Sequence, residues 1–85
     1  MSYTYFPDPG HGWLAVPLAD VQELGLTKAD FSSFSYMKGE VLYLEEDCDA
    51  EVFHNAYTNK HGRPPVHRTV HTDSDSIIRT YRRIA

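Results

Sequence analysis

Cys48 is the only cysteine in the chain, so no internal disulfide can form and every contact that holds the fold must be non-covalent. For 85 residues that is a demanding condition. A domain this short buries only about 60% of the surface its unfolded chain exposes, and its core is thin. The side chains able to fill such a core are aromatic: six Tyr, four Phe and one Trp, each able to bury roughly 150–250 Å². A single domain over residues 1–85 is expected. One cysteine also fits a reducing, cytoplasmic compartment. The opening residues show no basic region followed by an apolar run, and no apolar stretch is long enough to span a membrane.

The punctuation of the chain predicts an α+β domain: an antiparallel sheet of four to five strands with two helices packed on one face. Pro7, Pro9, Gly10 and Gly12 mark residues 1–12 as an irregular arm, held down by Tyr3, Tyr5 or Phe6. Trp13 to Val16 is a short apolar strand. Pro17 suits the first position of a helix, whose face is Leu18, Val21 and Leu24 and whose end is Gly25 with Leu26 behind it. Thr27 to Asp30 has the spacing of a capped turn. Phe34–Tyr36 and Val41–Glu45 read as a hairpin turning at Gly39. Asp47 is the expected N-cap of a second helix, with Asp49 and Glu51 in its first turn and Val52, Phe53, Ala56 and Tyr57 as its apolar stripe. Val66–Thr72 and Ser76–Ile84 read as a final hairpin around Asp73, Ser74 and Asp75. Trp13, Leu42, Leu44, Phe53 and Tyr57 are the expected core.

Few motifs support catalysis. Cys48 is flanked by Glu45, Glu46, Asp47, Asp49 and Glu51, whose charges oppose a thiolate, so it reads as a small, buried or half-buried residue. His67 and His71 share a strand face but lie roughly 13 Å apart at strand rise, too far to bind one zinc ion together. No serine stands in a nucleophile elbow, and Gly10 and Gly12 lack the context of a phosphate loop. The expectation is a protein that is not an enzyme, with no metal site and no cofactor.

Charge is distributed unevenly. Residues 1–51 hold ten acids and two lysines; residues 52–85 hold two acids and six bases. The acids concentrate at Glu40, Glu45, Glu46, Asp47, Asp49 and Glu51. A surface of this kind speeds association with a basic partner, and spaced carboxylates can imitate a phosphate backbone. With Tyr36 and Tyr43 as aromatic anchors, the residues Glu40, Tyr43, Glu45, Glu46, Asp49, Glu51 and Tyr36 are the candidate partner-binding set. Arg79, Arg82 and Arg83 surround Tyr81, but net negative charge argues against direct nucleic-acid binding, and pairing of these arginines with the acidic half is expected.

The residues His11-Gly12-Trp13-Leu14, Phe34-Ser35-Tyr36 and Tyr43-Leu44-Glu45-Glu46-Asp47-Cys48-Asp49-Ala50, with Phe53 beyond, resemble a family of short, functionally uncharacterised proteins of bacteriophages, plasmids and bacteria. The resemblance covers roughly residues 8–57. It implies a bacterial host and a small inhibitor of host defence, an anti-CRISPR protein for example. Such an inhibitor would bind a basic subunit of a CRISPR effector complex stoichiometrically, as a monomer or homodimer. A homodimeric regulatory or structural adaptor is the alternative, and a small hydrolase the third reading.

Overall fold

The computed structural model, which describes residues 2–84, begins with a strand where the sequence predicts an irregular arm. In β1 (Ser2–Pro7) the side chains alternate: Tyr3 and Tyr5 pack on one face and Phe6 on the other. Aromatic and β-branched residues suit a pleated, half-buried position. The prolines and glycines that follow hide this signal in the sequence; Pro7 ends the strand rather than preventing it.

β2 (Gly12–Pro17) returns antiparallel to β1, with Phe6 opposite Trp13 and Thr4 opposite Ala15. Pro17 is the N-cap of α1 (Leu18–Glu23) and the last residue of β2, one position earlier than expected. The N–H groups of Gly25 and Leu26 donate to the Gln22 and Val21 carbonyls at 2.9 and 3.1 Å, a Schellman ending that satisfies carbonyls the helix leaves free. Thr27 and Asp30 form the predicted capping box around a 3-10 turn, Lys28–Asp30.

β3 (Tyr36–Lys38) starts where the predicted strand was to end, and it pairs with β4 (Val41–Glu45) through the two-residue turn Gly39-Glu40. Gly39 has φ 58°, a conformation that tight hairpins place at their first central residue and that glycine adopts without strain. α2 (Asp49–His61) is capped by Cys48, not Asp47, and no side chain of its cap residue bonds to the helix start.

The predicted C-terminal hairpin does not form. β5 (Val66–Thr69) pairs parallel to β1 at one edge of the sheet. The chain then crosses to the opposite edge, where a 3-10 turn (Ile77–Thr80) leads into the two-residue β6 (Arg82–Arg83), antiparallel to β3. The sheet therefore has six strands in the order β5-β1-β2-β4-β3-β6 and is mixed, not wholly antiparallel. The second strand of the expected hairpin is interrupted at Ser76, whose side chain caps the 3-10 turn at Ile78 N–H and bends residues that alternation alone would read as strand.

Both helices cover one face, as expected. Val21 of α1 and Phe53 of α2 join Tyr3, Leu14, Val16, Leu42 and Leu44 in one buried cluster. Tyr57 packs against it half-buried, with its ring 5.9 Å from that of Phe53. On the other face Trp13, Tyr36 and Ile78 are buried together, with Phe6, Tyr43 and Tyr81 around them. No helix among the described residues is long and apolar enough to cross a membrane.

Candidate functional site

Successive residues of β2 point to opposite faces, and Leu14 therefore looks toward the helices while Trp13 looks away. Beside Leu14 the helical face is incompletely closed. A groove of about 570 Å³ runs between β1, the start of α2 and the segment entering β5. Ala50, Glu51 and His54 reach it from α2, since spacings of three and four residues share a helix face. The chain leaves α2 at Gly62, and Pro64 and Pro65 form the far wall before His67 of β5.

Tyr5 fixes the near wall. Its hydroxyl donates to the Glu46 carboxylate, and its ring meets His67 edge-on at 5.8 Å. Burial, then the bond to Glu46, then the charges of Glu46, Asp47 and Glu45 push the phenol well above its ordinary range. It stays a proton donor and holds Glu46 at the rim. Gly12 permits this geometry: a Cβ there would lie 2.0 Å from the Tyr5 hydroxyl oxygen.

The structure divides the acidic segment into two sets. Glu46 and Glu51 are exposed and both line the groove; Asp47 is exposed beside them. Glu45 and Asp49 are buried and face inward. Glu45 accepts the backbone N–H groups of Asp47 and Cys48, each at 3.1 Å, and so fixes the turn that leads into α2. Asp49 accepts the Ser32 N–H and hydroxyl and the Ser35 hydroxyl, tying α2 to the loop before β3. Glu40 is exposed at the hairpin turn, roughly 20 Å from Glu46 along β4 at strand rise. Tyr36 is buried against Trp13, their rings 6.0 Å apart. Tyr43 is half-buried on the same face, 5.1 Å from the Tyr81 ring. Of the seven residues in the candidate partner-binding set, Glu46 and Glu51 alone share the groove. Glu45, Asp49 and Tyr36 are taken up in holding the fold.

Sequence reasoning missed Tyr5, His54 and His67 as neighbours of those glutamates. The i, i+3 relation of Glu51 to His54 was readable. Tyr5 and His67 depend on the parallel pairing of β1 with β5, for which no short-range signal exists. Cys48 is exposed, not buried or half-buried as expected; local desolvation and then Glu45, Asp49 and Asp47 push its thiol above the ordinary range. His67 and His71 lie in different surroundings, His67 in the groove and His71 with Phe6, Val70 and Ser76. Among the described residues no group of three metal-ligating side chains converges. Arg79 pairs with Asp8 of the acidic half at 2.7 Å.

No family model, no curated protein and no solved structure matches this chain.

Proposed function

We propose that this chain is a stoichiometric, non-catalytic binding protein whose groove receives a basic segment of a protein partner. The observation that carries this reading is that Glu46 and Glu51, both exposed, line one groove together with the apolar residues Leu14, Ala50, Pro64 and Pro65. Apolar floors supply contact area, while rim charges steer encounter and select the sign of the partner. Within this class, a nucleic-acid-binding subunit of a host defence complex, such as a CRISPR effector, is the partner that the phage-family resemblance implies. Although two histidines stand near two carboxylates in the groove, no imidazole there is bonded to a carboxylate among the described residues, and the one side-chain bond on its wall joins Tyr5 to Glu46. That arrangement favours binding over acid–base chemistry.

The test is affinity capture from bacterial lysate with mass spectrometry, followed by binding measurements with the purified partner. Glu46→Lys/Glu51→Lys should abolish binding while the circular dichroism spectrum stays that of the wild type. Arg82→Glu/Arg83→Glu, at the far edge of the sheet, is the control. Loss of binding in the arginine variant alone would discard the groove as the interface. Binding should also weaken with salt, because the Debye length falls from about 10 Å at 0.1 M to about 3 Å at 1 M.

A second reading, a homodimeric adaptor, draws on the outer edge of β5, where all four residues are exposed. An open edge is a template for pairing with another chain. A concentration-independent monomer mass would remove it.

A further inference from the structure

Of the five histidines in the chain, His54 and His67 line the acidic groove, and each stands beside one of its two glutamates. His54 follows Glu51 on the same face of α2, since residues three apart are neighbours on a helix surface. His67 meets the Tyr5 ring edge-on at 5.8 Å, and the Tyr5 hydroxyl is bonded to Glu46. Both histidines are exposed. Among the described residues the one histidine within ion-pair distance of a carboxylate is His11, on the other face of the sheet, so the imidazoles of the groove are free to gain and lose protons.

No lysine or arginine lines the groove. Lys60, further along α2, pairs with Glu23, and Arg63 lines a separate cavity beside Asp20 and Glu23. Arg68 follows His67 in β5, and by strand alternation it faces the other side of the sheet. The remaining titratable neighbours are acids or stay neutral. Glu46 and Glu51 line the groove, with Asp47 exposed beside them; burial and the bond to Glu46 keep the Tyr5 phenol protonated. Carboxylates titrate near pH 4, and ammonium and guanidinium groups at about pH 10 and above. Imidazole is the side chain whose ordinary titration falls between about pH 5 and 8. Above that range the groove therefore presents two carboxylates and no cation; below it, two carboxylates stand against two imidazolium groups. On the reading of the groove as the seat of a basic segment, we propose that acidification switches it off: protonated His54 and His67 offset Glu46 and Glu51 and repel the cationic partner. At about 6 Å in a water-like medium, one such repulsion lowers affinity roughly threefold and two lower it about tenfold. Binding is strong above the imidazole range and weakens as pH falls through it.

The probe is acetylated hexa-arginine amide, whose own charge is constant across this range. It is titrated into the full chain by calorimetry at pH 7.5 and pH 5.5 in 0.15 M salt, where the Debye length of about 8 Å screens distant histidines. The expected result is saturable binding at pH 7.5 that is about tenfold weaker at pH 5.5. In His54→Gln/His67→Gln the ratio between the two affinities should fall to about one, whatever their absolute values, because no group that titrates in this range is left in the groove. In His61→Gln/His71→Gln, outside the groove, the ratio should stay at about ten. Should the first variant lose its fold, His54→Gln and His67→Gln taken singly decide, each with an expected ratio of about three. Glu46→Lys/Glu51→Lys keeps the two readings apart. Binding that these glutamates govern but that is equal at both pH values leaves the groove standing and overturns the switch alone. A pH dependence that survives in the folded His54→Gln/His67→Gln protein overturns the switch equally. Absence of glutamate-dependent binding at pH 7.5 overturns the groove as a seat for basic segments, and the switch with it.

Discussion

Five hydrogen bonds converge on the carboxylate of Asp8, which has no exposed side-chain surface. Arg79 supplies two, from Nε at 2.7 Å and Nη2 at 2.9 Å; the backbone N–H groups of Gly10, His11 and Ser76 supply three, at 2.9–3.0 Å. The Arg79 bond, reinforced by these amides, outweighs burial and holds the Asp8 carboxyl well below the usual carboxylate range. Its folded pKa is thus lower than its unfolded one. The stabilisation is complete above about pH 4 and is lost as pH falls through the folded value. Asp8→Asn should destabilise the protein at pH 7 by about 3 kcal/mol, the lower end for breaking a buried pair, because Arg79 is partly exposed. Urea unfolding at pH 7 and pH 2 checks the linkage: the wild type should lose more stability between the two than the variant. Equal losses would show that Asp8 does not carry this acid dependence. The pair spans 71 residues, and nothing local in the sequence marks it. Nor does counting acids separate Glu46 from Glu45: density along the chain is legible, whereas direction depends on which serines and backbone amides lie opposite. Ser32 and Ser35 turn Asp49 inward from 17 and 14 residues away.

At the scale of elements, legibility followed the range of the interactions. The capping box at Thr27 and the glycine turn at Gly39 are local and appear as read, and Val52, Phe53 and Tyr57 of the expected α2 stripe pack on the helical-face core. β1, β5 and β6 take their places through pairings across the whole chain, and the largest misreadings are theirs; the cap of α2 and the bounds of β3 moved by one or two residues. Two substitutions probe this division. Phe53 is fully buried and meets Tyr3 of β1 edge-on at 5.2 Å. Phe53→Ala should cost roughly 3–5 kcal/mol, as large aromatic truncations do, and a melt indistinguishable from wild type would remove α2 from the core. Gly12→Ala acts on the pairing of β1 with β2. The added methyl meets the Tyr5 hydroxyl oxygen and ring carbons at 2.0–2.9 Å, and Tyr5 cannot retreat without releasing Glu46. A loss of about 1–3 kcal/mol is expected for such overpacking. Tyr5→Phe/Gly12→Ala removes the hydroxyl that approaches most closely and should recover part of it; no recovery would place the strain elsewhere.

The molecule as a whole is a sheet with two unlike coverings, and its radius of gyration of 12.0 Å equals the roughly 12 Å of a fully compact chain of this length. Helices close one face. A segment with little regular structure closes the other, laying Ile78 on Trp13 and Tyr36 and Tyr81 beside Tyr43. That second covering begins at Ser76, whose N–H donates to Asp8, and it is locked by Arg79. Small domains have only about 5–15 kcal/mol of stability, and truncating a buried Ile costs about 2–5 kcal/mol, so the covering is a large share of the total. Deleting residues 76–85 takes away Ile78, Arg79 and Tyr81 together and bares the aromatic face of the sheet. Tryptophan emission, which comes from Trp13 alone, should shift to the red, a hydrophobic dye should bind, and the melt should broaden. Ile78→Ala is the gentler counterpart: it keeps Arg79 on Asp8 and should lower stability while the transition stays sharp. If the truncated protein instead keeps wild-type emission and a wild-type melt, the helical face alone sustains the sheet, and the C-terminal segment lies on the fold without helping to hold it.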